Sequence, residues 1–296
     1  MKIPPSYSLY LCDTNLYNES IFIMKKVQLF LASLPLALSV ACGTTNELVF
    51  EDDFEGTGLP DSLRWNYEEG YVRNGELQYY TVARPENCYR QVVVRRDSAV
   101  IENGLFAKQW ETPVDTTRST AVAPITSASI TTKGLAEWKY CRVEVRAKLP
   151  DGIGTWPAIW MMPADDTYGE WPKSGEMDIM ENVGYELPKV HYAIHTETYN
   201  HTKNNQKRHT VDCATVATDF HVYGFEWRED KLTWYLDGVE TYSVTKDETG
   251  WKAWPFDRPF YLILNFAFGG GWGGSQGVDL DALPQEYIID YVRVYR

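Results

Sequence analysis

The segment Glu176-Met-Asp178-Ile-Met-Glu181 places three carboxylates within six positions, separated only by apolar side chains. Like charges in a partly dry site raise one another's pKa, so bringing carboxylates together is costly. Two carboxylates on one wall of a cleft suit hydrolysis of a glycosidic bond. One attacks or stabilises the anomeric carbon while the other protonates the leaving oxygen. Asp178 between them can hydrogen-bond to either neighbour and hold their pKa values apart. The same three groups also suit a hard cation such as calcium, or a solvated acidic strand. Spacing alone leaves these readings open.

The element that carries the carboxylates has to solve a phase problem. In a regular strand Glu176 and Asp178 share a face, while Glu181, five residues on, falls on the opposite face with the hydrophobic residues. A β-bulge between Asp178 and Glu181 absorbs one residue and restores the phase. A bulge is therefore predicted there. Aromatic residues surround this strand: Trp156 and Trp160 in GTWPAIWMMP, Trp171, Tyr199, and Trp272 in a Gly-rich turn. Flat side chains match the apolar faces of sugar rings and bury large area at low rotamer cost. A single Trp is more often core than ligand, so the weight rests on the cluster.

The surrounding chain reads as strands. Cys141–Leu149, Phe220–Trp227, Lys231–Leu236 and Tyr287–Tyr295 alternate apolar with polar residues at period two, the mark of half-buried antiparallel strands. Asn74-Gly75, Pro150-Asp151-Gly152, Asp237-Gly238 and Gly269–Gly274 punctuate them, and Asp237-Gly238 between two alternating runs predicts a hairpin. No amphipathic helix of ten residues, repeat or Pro/Ser-rich linker interrupts residues 45–296. One all-β domain, a two-sheet sandwich, is the expected architecture, with a loop over Ala107–Ser127.

The start of the chain is of another kind. Met24-Lys25-Lys26, fourteen uncharged residues (Val27–Val40) and Ala41-Cys42-Gly43 follow the charged, apolar and small-residue order of a secretory signal. The apolar run is short for a bilayer span. Residues 1–41 thus read as a signal segment, with residues 1–23 an upstream extension of the gene model. Cys42 after Val40-Ala41 resembles a bacterial lipobox, which implies lipidation of Cys42, a linker over residues 42–47 and an exported, membrane-anchored lipoprotein; plain signal cleavage and secretion is the other reading. Removing residues 1–41 takes away three lysines and two acids and moves the net charge from −13 to −14. An acidic chain without Lys/Arg runs excludes nucleic acid as a partner. Cys88, Cys141 and Cys213 remain beside Cys42 and form no CxxC pair, so buried free thiols are expected, with one disulfide plus one free thiol as the alternative. No nucleotide motif occurs and hydrolysis needs only water, so no organic cofactor is expected, and a monomer is the default.

At GEMDIME the chain resembles glycoside hydrolase family 16, whose signature is ExDxE or, with the bulge, ExDxxE. LVFEDDFEGTGLPD, NGELQYYT, YCRVEVRAKLPDGIGTWPAIWMMP, WPKSGEMDIMENVG, FYLILNFAFGGGWGG and IIDYVRVYR resemble family blocks in family order, over about residues 48–296. The resemblance implies a β-jelly-roll of two curved antiparallel sheets with a concave substrate groove, and retaining endo-hydrolysis of β-linked polysaccharides. Glu176 then matches the nucleophile, Glu181 the acid/base and Asp178 the assisting carboxylate. Asn74, Trp156, Trp160, Trp171 and His195 match groove residues, and Asp53, the backbone of Gly104 and Asp290 match ligands of a structural calcium. Asp53 stands where Glu is common. For His195 a core role is the alternative.

The bulged motif with GTWPAIWMMP is most similar to laminarinase-type members, which implies β-1,3-glucan or mixed-linkage β-1,3/1,4-glucan as substrate. Departures from that pattern are His195–His201 (HTETYNH), the loop Ala107–Ser127 and Cys141. Sulfated-galactan hydrolases (agarases, porphyranases, carrageenases) share the implied fold, and Lys203, Lys207 and Arg208 keep that alternative open. A non-catalytic β-glucan-binding protein is the remaining one, and the presence of all three carboxylates weighs against it.

Overall fold

The computed structural model describes residues 47–93, 96–105, 123–246 and 250–296. The signal segment, the lipobox Cys42 and residues 107–122 of the expected loop lie outside the described residues.

Two sheets stack face to face. The first runs in the order β15 (Val239–Thr245), β14 (Lys231–Leu236), β13 (His221–Trp227), β8 (Arg142–Lys148), β17 (Gln285–Tyr295), β5 (Arg96–Leu105), β6 (Ile125–Ser127) and β3 (Tyr79–Tyr80). Beside this path β1 (Leu48–Asp52) pairs with β17, and β4 (Cys88–Val93) with β5. The second runs β12 (Lys207–Asp212), β11 (Lys189–His195), β10 (Glu176–Glu181), β9 (Thr155–Pro163), β16 (Phe260–Phe268), β7 (Ser129–Thr131) and β2 (Asn66–Tyr67). Every named pairing is antiparallel except the two-residue match of β3 with β6, which is parallel. The end of the expected loop is thus a strand, since Ile125–Ser127 forms β6. The one α-helix among the described residues is the four-residue α1 (Gly270–Gly273).

Alternation in sequence becomes alternation in burial. β8 buries Val143, Val145 and Ala147 and leaves Arg142, Glu144, Arg146 and Lys148 partly exposed, as a strand with one face on the core must. The buried residues of β8, β13 and β14 meet Ile159, Met161, Met177, Met180, Tyr192 and Ile194 of the second sheet in one hydrophobic cluster, with Trp65, Trp227 and Trp234 its largest fully buried members. β16 is buried along all nine residues, which is why its sequence does not alternate. Asp237 and Gly238 both adopt positive φ (52° and 80°), the two-residue turn a tight hairpin requires, and they join β14 to β15 as the sequence predicts.

The predicted bulge is present. Asp178 pairs with Trp160 and Glu181 with Ala158 across β9, with a register shift between Asp178 and Met180; across β11 the shift lies between Asp178 and Glu181. Met177, Ile179 and Met180 all face inward. The irregular ladder is braced from the opposite sheet, where the Trp234 indole N–H donates to the Asp178 carbonyl at 2.8 Å. Among the described residues Cys88, Cys141 and Cys213 are all free thiols, the first two buried. Burial pushes both buried thiols up to about 12, which leaves them unreactive.

Candidate active site

β10 enters the site through Gly175, whose φ of +94° suits glycine; a Cβ there would meet Phe256 and Pro255 side chains at 3.0 Å. From that start Glu176, Asp178 and Glu181 point outward into a groove of about 780 Å³ on the outer face of the second sheet. Trp156, Ala158, Trp160 and Met162 of β9, His191, Ala193 and His195 of β11, and Asn265 of β16 line the same groove. The register explains this, since Glu176, Asp178 and Glu181 stand opposite His195, Ala193 and His191, and directly paired residues share a face.

Each glutamate is held by an indole. Trp171 Nε1 donates to Glu176 Oε2 at 2.7 Å, and Trp156 Nε1 donates to Glu181 Oε1 at 3.0 Å. His195 Nε2 lies 3.3 Å from Asp178 Oδ2 and 3.6 Å from Glu176 Oε1. The backbone N–H of His201 donates to His195 Nδ1 at 3.3 Å, so in the neutral ring the proton sits on Nε2, between the two carboxylates. A third tryptophan is locked by a relay: Trp160 Nε1 donates to Asn265 Oδ1 (2.7 Å), Asn265 Nδ2 to the Tyr80 hydroxyl (3.0 Å), and that hydroxyl to Glu76 Oε2 (3.2 Å). Arg73 stacks on Trp160 at 4.9 Å and is ion-paired with Glu68.

Burial raises all three carboxyls. Burial, then the charge of Asp178, pushes Glu176 up to about 8, opposed by His195 and the Trp171 hydrogen bond. Burial also raises Asp178, with the neighbouring Glu176 opposing the rise. Glu181 stands well above the ordinary carboxylate range, through burial first and the Asp178 charge second. At neutral pH the trio therefore retains protons, and one carboxyl can act as an acid while another is ionised.

Asn74, Trp156, Trp160, Trp171, His195 and Trp272 all line the groove as the sequence predicts. His195 is neither free of the site nor a core histidine. Trp272 packs edge-on against Trp156 (5.5 Å) and His191 (5.0 Å). Tyr199 is a correction: it is outside the groove lining. Asn200 Nδ2 donates to the carbonyls of Thr196 and Glu197 and folds this turn on itself, and the Tyr199 ring lies 4.5 Å beneath the Lys207 ammonium. Sequence reasoning missed Arg73, Glu76, His191, His201 and Asn265. His191 was within reach, because it stands four positions from His195 in an alternating strand, and so was Asn265, the one polar residue in FYLILNFAF.

The three calcium residues do not assemble. Asp53 Oδ1 accepts from Arg293 Nη2 at 3.1 Å, and Asp290 is ion-paired with Arg146. Gln285 pairs with Asn103 and Ile289 with Ala99, so Gly104 lies level with residue 284, about 20 Å along the strand from Asp290 at roughly 3.4 Å per residue. Two arginine-paired aspartates and a distant carbonyl do not fit a calcium site.

An antiparallel two-sheet sandwich whose outer groove holds paired glutamates between indole donors and aromatic walls defines a polysaccharide hydrolase. The family model "Glycosyl hydrolases family 16" matches residues 93–293, and the chain belongs to that family, a β-jelly-roll and a retaining glycoside hydrolase. It is 44% identical over 259 residues to a Rhodothermus marinus protein named "Beta-glucanase", covering 84% of this chain and 85% of the relative. The solved laminarinase of Rhodothermus marinus superposes with a TM-score of 0.76 at 43% identity, covering 85% of this chain and 97% of that one. A non-specific endo-β-1,3(4)-glucanase, solved with a glucan oligosaccharide at its active site, superposes with a TM-score of 0.77 at 39% identity over 86% of this chain and 96% of the other.

Proposed function

We propose that this chain is an endo-β-glucanase that cuts β-1,3-glucan and mixed-linkage β-1,3/1,4-glucan with retention of configuration, using Glu176 as nucleophile and Glu181 as acid/base. The observation that carries the role assignment is the bulge in β10, which brings Glu181 onto the groove face with Glu176 and Asp178. The substrates of the relatives just described support the glucan reading. Trp171 fixes one oxygen of Glu176, leaving the other to attack the anomeric carbon while Glu181 protonates the leaving oxygen. The charge on Glu176 is one cause of Glu181's raised pKa. Once Glu176 is esterified that charge is gone, Glu181 becomes easier to ionise, and it takes the proton of the incoming water. Asp178 holds the pair apart electrostatically, and His195 holds Asp178 and Glu176 in place.

Digestion of laminarin, mixed-linkage glucan and agarose in parallel tests the substrate. Cleavage of either glucan with the β-anomer released first supports the reading, and cleavage of agarose alone overturns the glucan assignment. Equal reducing-sugar release by wild type and Glu176→Ser would sink the catalytic one. We further infer that Cys42 is acylated and anchors a monomeric catalytic unit to a bacterial membrane after export; incorporation of labelled palmitate, lost in Cys42→Ser, is the expected outcome.

A further inference from the structure

We propose that Glu176, Asp178 and His195 form a reversible site for a late first-row divalent cation such as Zn²⁺, and that its occupation blocks the groove. The proposal rests in part on the reading of Glu176 as nucleophile, because a cation there takes up the attacking oxygen.

The donor atoms are already placed. Glu176, Asp178 and His195 each offer one ligand atom, and these atoms all lie within 4.8 Å of one another. The His195 Nε2 separations of 3.3 Å from Asp178 Oδ2 and 3.6 Å from Glu176 Oε1 compare with about 3.3 Å for the edge of a tetrahedron built on Zn–N and Zn–O bonds of about 2.0–2.1 Å. Asp178 Oδ2 supplies the independent observation. It is buried with no hydrogen-bond partner, on a side chain only 3% exposed, and it lies 3.3 Å from His195 Nε2. An unpartnered buried carboxylate oxygen is expensive, and a cation meets that need better than the longer contact with the imidazole.

The surroundings fit the same reading. The second oxygen of Glu176 is held by Trp171 Nε1, the kind of outer contact that orients a ligating carboxylate. A cation here competes with the protons the carboxyls hold, and the groove that Glu176, Asp178 and His195 line admits it from solvent. An imidazole donor favours Zn²⁺, Cu²⁺ or Ni²⁺ over Mg²⁺ or Ca²⁺, which prefer oxygen. Ligation moves the neutral ring's proton from Nε2 to Nδ1 and gives up the 3.3 Å contact from the His201 N–H. That opposing cost makes the site reversible, a regulatory stop on hydrolysis.

Calorimetric titration of the purified protein with ZnCl₂, without polysaccharide, tests the site independently of turnover. One equivalent of Zn²⁺ is expected to bind, with affinity weakened at least about tenfold in His195→Gln and in Asp178→Asn, and Mg²⁺ is expected to bind far more weakly. Circular dichroism checks that each variant folds, and the second variant carries the test where the first does not. Affinity unchanged in both folded variants, or no Zn²⁺ binding at millimolar metal, would overturn the proposal. Zn²⁺ binding lost in the variants supports the site even where wild type cuts no glucan, so the failure of the site and the failure of the glucanase reading are separate results.

Discussion

Glu176 carries two opposed demands, since a nucleophile must be ionised and its surroundings favour the neutral form. Its pKa rises from 4.5 to about 8, chiefly through burial. The folded chain therefore holds a proton that the unfolded chain has lost throughout that window. The stability this group contributes is fully present below about pH 4.5 and is lost as pH rises toward 8. Glu176→Gln removes the ionisation, so the variant should melt at nearly the wild-type temperature at pH 4 and be more stable at pH 8, by several kcal/mol. Thermal melts at the two pH values check this, and a variant less stable than wild type at pH 8 would contradict it. The same pair sets the rate profile. Catalysis needs Glu176 ionised and Glu181 protonated, and both groups are raised. kcat/KM should peak nearer neutral pH than the pH 4–5 range of unperturbed carboxyls, with both limbs belonging to the coupled trio. A peak at pH 4.5 on laminarin would show that the groove is wetter than its burial implies.

At the scale of the strand, the irregularity in β10 does the positioning. Ile179 is the residue that absorbs the phase slip, because Asp178 and Met180 take consecutive partners, Trp160 and Ile159, on β9. Deleting Ile179 leaves Glu-Met-Asp-Met-Glu, in which a regular strand puts all three carboxylates on one face at period two. That deletion should keep hydrolysis measurable, within about a hundredfold of wild type, at a stability cost of about 2–5 kcal/mol for the lost core side chain. Activity as low as that of Glu181→Gln would show that the bulge sets distances as well as phase. The bulge was legible because one carboxylate in a row of three was out of step with its apolar neighbours. Trp156, Trp160 and His195 were legible through the resemblance of their blocks to the family. The Trp234 brace and the Asn265–Tyr80–Glu76 relay were not, since each links residues 56 or more positions apart in at least one step, and no local pattern encodes such a contact. Tyr199 was misread for the converse reason: a nearby aromatic suggested a groove wall, and the hydrogen bonds of Asn200 turned the loop another way.

The whole molecule raises the question of what secures a sandwich whose first strand, β1, and last strand, β17, lie side by side. The resemblance implied a calcium clamp near this seam. The structure instead closes it with side-chain ion pairs: Arg293 reaches both Glu51 (2.8 Å) and Asp53 (3.1 Å), and Arg146 pairs with the buried Asp290. The Glu51 and Asp53 pairs are partly exposed, so each adds little, whereas the Asp290 pair is largely withdrawn from water and breaking it leaves a buried charge. Arg146→Met should therefore lower the melting temperature by several degrees, and a chelator should not. A melt in excess EGTA that matches the untreated protein within about 1 °C is the expected outcome, since a ligand bound only to the native state stabilises it by mass action and its removal must register. A fall of several degrees restored by added Ca²⁺ would mean that the ion displaces Arg293 from Asp53 or Arg146 from Asp290. In that case the seam switches between an arginine-closed and a calcium-closed form, and Arg146→Met should then lose stability in EGTA alone.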